Sequence, residues 1–181
     1  MFWNHRGMRR ADPLGDLLAR AAEGDDVALA HLVRSTQADV WRLCSALGSP
    51  GEVDDLVQET YLRMIRAVPT FRAESSVRTW LLAIARNVCA DHVRRRTRQR
   101  RLIDRLVERT VVEAESPPSD PEPMLDALSA EQREAIVLTQ VLDLSYEEAA
   151  RVLGCPVGTV RSRVSRARER LVSELERAES V

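Results

Sequence analysis

Lysine is absent from this chain: all 27 basic residues are arginine, and against 28 aspartates and glutamates they leave a formal charge of −1. A total this close to zero exerts no long-range pull on a polyanion, so bulk charge argues against a nucleic-acid partner. Glycine is scarce as well, 7 in 181 residues with none between Glu52 and Leu153, and aromatics reach only 4%. Strands draw on aromatic residues and tight hairpins on glycine. Their shortage, beside abundant Ala, Leu, Val, Arg and Glu, predicts an all-α chain. No apolar run is longer than Trp80–Ala85, far below the roughly 20 residues of a membrane span. The opening MFWNHRGMRR also has no apolar stretch of signal-peptide length. The expectation is a soluble cytoplasmic protein without membrane insertion. The three cysteines, at 44, 89 and 155, are odd in number and widely spaced, which fits core residues in a reducing compartment and neither a disulfide framework nor paired zinc ligands. Cys89 and His92 have no second convergent pair, and no nucleophile–base–orienter set is present. No catalytic residue, metal or cofactor is therefore expected.

What is present is charge in blocks. Residues 12–62 carry a net −7, residues 63–109 a net +9, residues 110–150 a net −9, and each end of the chain a net +3. Segregation on this scale suits separate surfaces for separate partners, arginine-rich ones for phosphate and acidic ones for a basic protein or channel. Proline marks a further boundary: four of the eight prolines fall between Pro117 and Pro123, which reads as a flexible linker. Two small helical domains follow, 12–98 and 124–178, joined by residues 99–123.

Leu14, Leu17, Leu18 and Ala21 have helical spacing, Gly24 interrupts it, and Val27, Leu29, Leu32 and Val33 resume it, so two helices or one broken helix open the first domain. GSPG at 48–51 is a stop. Asp54 to Val68 forms a third element with its acids at the N-terminal end, where the helix dipole favours them. After Pro69 and a polar loop, a last helix spans Arg78 to about Arg98 with Trp80, Leu81, Ile84, Val88 and Val93 inward; that register marks Trp80 as a core residue and not a stacking platform. The set reads as a helical bundle.

In the second domain, Ser129–Gln132 is a capping box before a helical run to Leu142, and Ser145–Glu148 is another. Gly154 closes the short helix after the second box, and Pro156 opens the next. Short helix, glycine turn, longer helix is the helix-turn-helix pattern. On the last helix, Val157, Val160, Val164, Ala167, Leu171 and Leu175 fall in one narrow arc predicted to be buried. Arg161, Ser162, Ser165 and Arg166 face the other way. Arginine forks and small hydroxyls on an exposed face suit the major groove, where Arg pairs bidentately with guanine.

At these residues the sequence resembles the extracytoplasmic-function (ECF) sigma factors, the minimal sigma subunits of bacterial RNA polymerase. The resemblance rests on Asp54-Asp-Leu-Val-Gln-Glu-Thr60, on Thr79-Trp-Leu-Leu-Ala-Ile-Ala-Arg-Asn87, and on Leu144-Ser-Tyr-Glu-Glu-Ala-Ala150 followed by Gly154-Cys-Pro-Val-Gly-Thr-Val-Arg-Ser-Arg163 and Arg166-Ala-Arg168. It implies that the first domain is sigma region 2 and the second sigma region 4. Asp54, Asp55, Gln58 and Glu59 would then contact the clamp helices of the beta-prime subunit of polymerase core, the beta and beta-prime assembly being the partner. Arg72, Ser75, Ser76, Arg86, Asn87, Arg94 and Arg95 would serve the minus-ten element, with a base flipped from the melting strand met by amide and hydroxyl groups and its backbone by arginines. Arg161, Ser162, Ser165 and Arg166 would read the minus-thirty-five element, with Thr159 and Arg163 nearer its phosphates. Promoter DNA and an anti-sigma factor complete the implied partners, and the acidic, proline-rich linker would thread toward the RNA exit channel.

The alternative is a free-standing helix-turn-helix regulator. It explains the second domain but leaves the Asp54–Glu59 motif and Asn87 idle. Polymerase core discriminates the two: a regulator binds duplex DNA alone, whereas a sigma factor binds specifically only with core.

Overall fold

The computed structural model describes residues 12–49, 51–107, 125 and 127–179. No strand occurs among them. Helix α1 (Pro13–Ala22) starts on Asp12, whose carboxylate accepts from the Leu14 amide at 3.1 Å, with Pro13 in the first turn. Gly24 takes a left-handed φ of 92°. Helix α2 (Asp26–Leu47) restarts on the Asp25 cap, which accepts from the Val27 and Ala28 amides. Two helices, and not one broken helix, are what the glycine makes. Helix α2 ends at Gly48, where an added methyl would stand 2.6 Å from the Cys44 carbonyl oxygen and collide with Leu56. Glycine thus lets α3 (Val53–Ala67) pack closely on α2. A 3₁₀ turn, Val68–Thr70, carries Pro69 into the loop 71–76, and α4 spans Val77–Val107.

The second half holds α5 (Ala130–Ile136), a π-helical turn (Val137–Val141), α6 (Tyr146–Leu153) and α7 (Val157–Glu179). Both capping boxes form, Ser129 with Gln132 and Ser145 with Glu148. Gly154 sits at φ 63° as the left-handed cap between α6 and α7.

Leu32, Val40, Leu43, Met64, Leu81, Leu82 and Val88 fill the first bundle, and Val137, Leu138, Leu142, Val160 and Val164 the second. They belong to one continuous buried cluster, because α6 packs on α4 while α5 and the π turn meet α2. The two helical domains therefore lie against each other as well as being joined by chain.

Four expectations are corrected. Val93, expected inward, is 44% exposed. The last helix of the first bundle runs past Arg98 to Val107, since RQRRLIDRLV contains no residue that breaks a helix; residues 99–107 of the stretch expected as linker are helical. The segment expected as regular helix to Leu142 widens into a π turn after Ile136. Leu175 is 45% exposed, because α7 outruns the helices that could cover it, and its buried stripe ends at Ala167 with Leu171 half-covered. The prolines at 117–123 and the acidic part of the expected linker lie outside the described residues.

Candidate nucleic-acid and polymerase interface

The helix-turn-helix face is assembled as the spacing implies. Arg161, Ser162, Ser165 and Arg166 are exposed on α7, opposite the buried Val160, Val164 and Ala167, while Thr159 and Arg163 are half-buried nearer the turn. The Arg161 guanidinium carbon lies 5.9 Å from the centre of the Tyr146 ring, a cation–π contact that steadies the fork while leaving its N–H groups available. Ser162 donates to the Thr159 carbonyl at 2.9 Å and Ser165 to Glu169 at 3.0 Å. Arg166 has no partner among the described residues.

The helix expected to meet polymerase presents Asp54, Asp55 and Gln58 to solvent, whereas Glu59 is half-buried and accepts from Arg63 at 2.7 Å. Arg63 also donates to Asp91 of α4 at 2.8 Å. These bonds hold the Glu59 and Asp91 carboxyls below their ordinary range: Arg63 is the first cause in each case, and Arg94 is a second hydrogen-bond donor to Asp91. Sequence reasoning missed that Leu62 and Ile65, 42% and 46% exposed, continue the face of Asp55 and Gln58. The i, i+3, i+7, i+10 spacing was the available signal. The α3 face is thus acidic at its start and apolar one turn on, suited to a partner that is both basic and greasy.

The residues assigned to the minus-ten element divide. Asn87 and Arg95 are exposed on α4, and Arg72 is exposed in the loop; Arg95 acts on Glu59 through its charge. Arg94 pairs with Asp91. Ser76, expected to face a base, also caps α4: its Oγ accepts from the Thr79 amide at 3.1 Å and lies 2.8 Å from the Thr79 hydroxyl. Ser75 donates to the Ser76 carbonyl at 3.3 Å. Arg86 is engaged too, its Nε and Nη2 donating to the two oxygens of Glu134 on α5 at 2.8 and 3.0 Å. Arg78, one helix face away, donates to Asp39 at 2.6 Å and to the Leu142 carbonyl at 2.7 Å. The second domain therefore covers part of the α4 surface in this arrangement.

Asp12 was not singled out by its sequence context, and it ties this region together. One carboxylate oxygen caps α1, and the other accepts from the Val77 amide at 2.8 Å, so one side chain closes the N-termini of two helices at the base of the loop 71–76. The loop itself is fixed by Phe71 on Trp80, ring centres 5.0 Å apart, and by Ala73 at a φ of 53°. Trp80 packs against the core as its register required. Cys44 and Cys89 are both buried, and the hydrogen bond that the Cys89 thiol donates to Cys44, together with burial, pushes the Cys89 thiol up, which fits packing roles. No cluster of potential metal ligands is present among the described residues.

An all-helical body that carries an exposed helix-turn-helix and a second basic helix beside an acidic docking face defines a two-domain DNA-binding protein of the transcription apparatus. Family models agree with that class: the Sigma-70 region 2 model matches residues 32–99 and the Sigma-70 region 4 model residues 123–171. The sequence is 47% identical over 178 residues to the probable RNA polymerase sigma-C factor of Mycobacterium bovis, covering 88% of this chain and 90% of that protein. It is 34% identical over 181 residues to the ECF RNA polymerase sigma-E factor of Escherichia coli, covering 88% and 93%. Among solved structures, CnrH in complex with the cytosolic domain of CnrY is similar with a TM-score of 0.69 at 31% identity, covering 89% of this chain and 96% of that one. RpoE in complex with the anti-sigma factor NepR from Bartonella quintana gives 0.61 at 30% identity, covering 82% and 96%. The chain belongs to the ECF RNA polymerase sigma factors, a family of promoter-recognition subunits and not of enzymes.

Proposed function

We propose that this chain binds polymerase core through Asp54, Asp55, Gln58 and Glu59 of α3 and brings it to promoters that its two domains read at separate elements. Region 2 work falls to residues 12–98 and region 4 work to residues 124–178, with residues 99–123 between. Arg161, Ser162, Ser165 and Arg166 read the minus-thirty-five element in the major groove, and Thr159 and Arg163 approach its phosphates. Asn87 and Ser75 hold a base of the minus-ten element, and Arg72, Arg86, Arg94 and Arg95 serve its backbone. Ser76 acts through the shape of the loop, since its hydroxyl is held by the α4 cap. Because α5 occupies Arg86, opening of the two domains belongs to the reaction. The protein works in the cytoplasm without a reaction of its own, and an anti-sigma factor, as NepR is for RpoE of Bartonella quintana, holds it inactive.

The observation that carries this reading is the coexistence of the exposed α7 face with the acidic and apolar α3 face. A free-standing regulator has no use for the second. Run-off transcription with purified core on a genomic promoter library tests it. Initiation at a defined promoter set is expected only when both are present; no initiation at any promoter overturns the reading. Asn87→Ala should spare core binding and impair open-complex formation. Loss of core binding in that variant would remove Asn87 from its assigned role.

A further inference from the structure

We propose that Asp12 is a positioning residue for minus-ten recognition: it holds the loop 71–76 against the start of α4 in the shape that lets Ser75 meet its base. The inference rests on the promoter-binding function proposed above and adds to it a residue that lies before the segment matched by the region 2 model.

The amides of a helix's first turn have no partner within the helix. At α4, Ser76 satisfies one of them locally, its Oγ accepting from the Thr79 amide at 3.1 Å. The Val77 amide comes too early for that cap, and its acceptor is brought from 65 positions away: the second carboxylate oxygen of Asp12, at 2.8 Å. A carboxylate there also faces the positive end of the α4 dipole. Asp12 is itself held in place. Its first oxygen accepts from the Leu14 amide at 3.1 Å, its carbonyl accepts from the Gly15 amide at 2.9 Å, and Leu18 buries α1 in the bundle. The tie thus runs from an anchored helix to the backbone where the loop becomes α4.

The same helix braces the other end of the loop, because α1 packs on the 3₁₀ turn Val68–Thr70 as well as on α4. Between these ends Arg72, Ala73 and Glu74 are exposed, and Ala73 holds its left-handed φ of 53°, a conformation that a residue with a Cβ keeps only under restraint from its surroundings. Arg78 adds a second tie, to Asp39 on α2 at 2.6 Å, but through a long side chain that can swing. Asp12 grips the peptide itself, two positions after Ser75. A shift of the Val77 peptide therefore moves Ser75, whereas Asn87 is fixed by the buried Val88 and Cys89 beside it.

The test uses holoenzyme assembled from core and the full chain. Its probes are single-stranded oligonucleotides carrying a minus-ten element recovered by run-off selection, matched or changed at each base in turn. Asp12→Asn separates the two bonds of Asp12. Asparagine caps a helix as well as aspartate does, so its one carbonyl oxygen keeps the α1 cap while its amide group meets the Val77 N–H donor against donor. Discrimination should be lost at the base position that Ser75→Ala also affects: affinity for the matched strand falls about tenfold, the scale of one hydrogen bond to a charged group, while affinity for the strand changed at that base stays the same. Discrimination at the other bases and binding to core should match the wild type. Asp12→Ala should give the same loss. Asp25→Ala, which removes the α2 cap beyond the other end of α1, is the control: a variant that is only less stable lowers the active fraction, scales both strands alike and leaves every ratio unchanged. Unchanged ratios in Asp12→Asn, a loss spread over all bases, an equal loss in Asp25→Ala, or weaker binding of Asp12→Asn to core would overturn the role. If the wild type prefers no base at any position, or Ser75→Ala changes no ratio, the minus-ten reading fails first and takes the role of Asp12 with it.

Discussion

The pair Arg86–Glu134 should prove the strongest single tie between the two domains, and a double-mutant cycle measures it. The bond is a two-pronged guanidinium–carboxylate contact at 2.8 and 3.0 Å between α4 and α5. The partners differ in burial, with 28% of the Arg86 side chain exposed and only 11% of Glu134. Exposed pairs contribute up to about 1 kcal/mol, while breaking a buried one costs about 3 to 5 kcal/mol because a charge is left without a partner. This pair lies between those limits. Arg86→Ala strands the more buried charge and should cost about 3 kcal/mol; Glu134→Ala leaves Arg86 to water and to the Asn87 amide oxygen, and should cost about 1 to 2 kcal/mol. The double variant should cost less than the sum, with a coupling of at least about 1.5 kcal/mol. Urea unfolding followed by two probes gives the four stabilities, provided the transitions coincide. In a chain of this size each kcal/mol corresponds to about 2 to 4 °C in Tm. Single effects that add to within 0.5 kcal/mol, or Glu134→Ala costing more than Arg86→Ala, would refute the reasoning.

Other consequences follow from particular contacts. Gly48→Ala forces a methyl against the Cys44 carbonyl and Leu56, and should destabilise the first bundle by about 1 to 3 kcal/mol, read as a lower urea midpoint. Asp12→Ala removes caps from α1 and α4 together and should cost about 1 to 2 kcal/mol; faster proteolysis within loop 71–76 of the folded variant is the accompanying local readout. Because Arg63 and Arg94 hold Asp91 low, and Arg63 holds Glu59 low, the stability these carboxylates contribute is fully present above their ordinary range near pH 4. It is lost as pH falls through their depressed folded values. Asp91→Asn should therefore flatten the acid limb of a stability–pH curve and lower stability at pH 7, and an unchanged limb would refute the assignment.

Local chemistry was legible in the sequence wherever one short stretch carried both members of an interaction. Ser129 with Gln132, Ser145 with Glu148, and Gly154 after Leu153 announce their helix ends because donor and acceptor lie within one turn. The exposed face of α7 was legible for the same reason. Ser76 has a local role that its reading as a DNA contact left out: three residues on stands Thr79, whose amide it caps. The sequence reading ends α4 at about Arg98, although no breaker occurs before Val107. Closure of the two domains was not legible at all. Arg86 and Glu134 stand 48 positions apart, in blocks whose opposite charge permits the pair without specifying it.

Separating the two domains leaves on each a charge that the other had compensated. Closed, Arg86 and Glu134 cancel; apart, α4 gains a bare guanidinium and α5 a bare carboxylate, whereas Arg78 gives up the Leu142 carbonyl and keeps Asp39. The opening is therefore a charge-separation step that takes up counter-ions, favoured by added salt through screening. A nucleic-acid strand arriving at α4 supplies the missing anion itself. Strand and carboxylate thus compete for one guanidinium, and the same salt that loosens the closed form weakens the complex that replaces it.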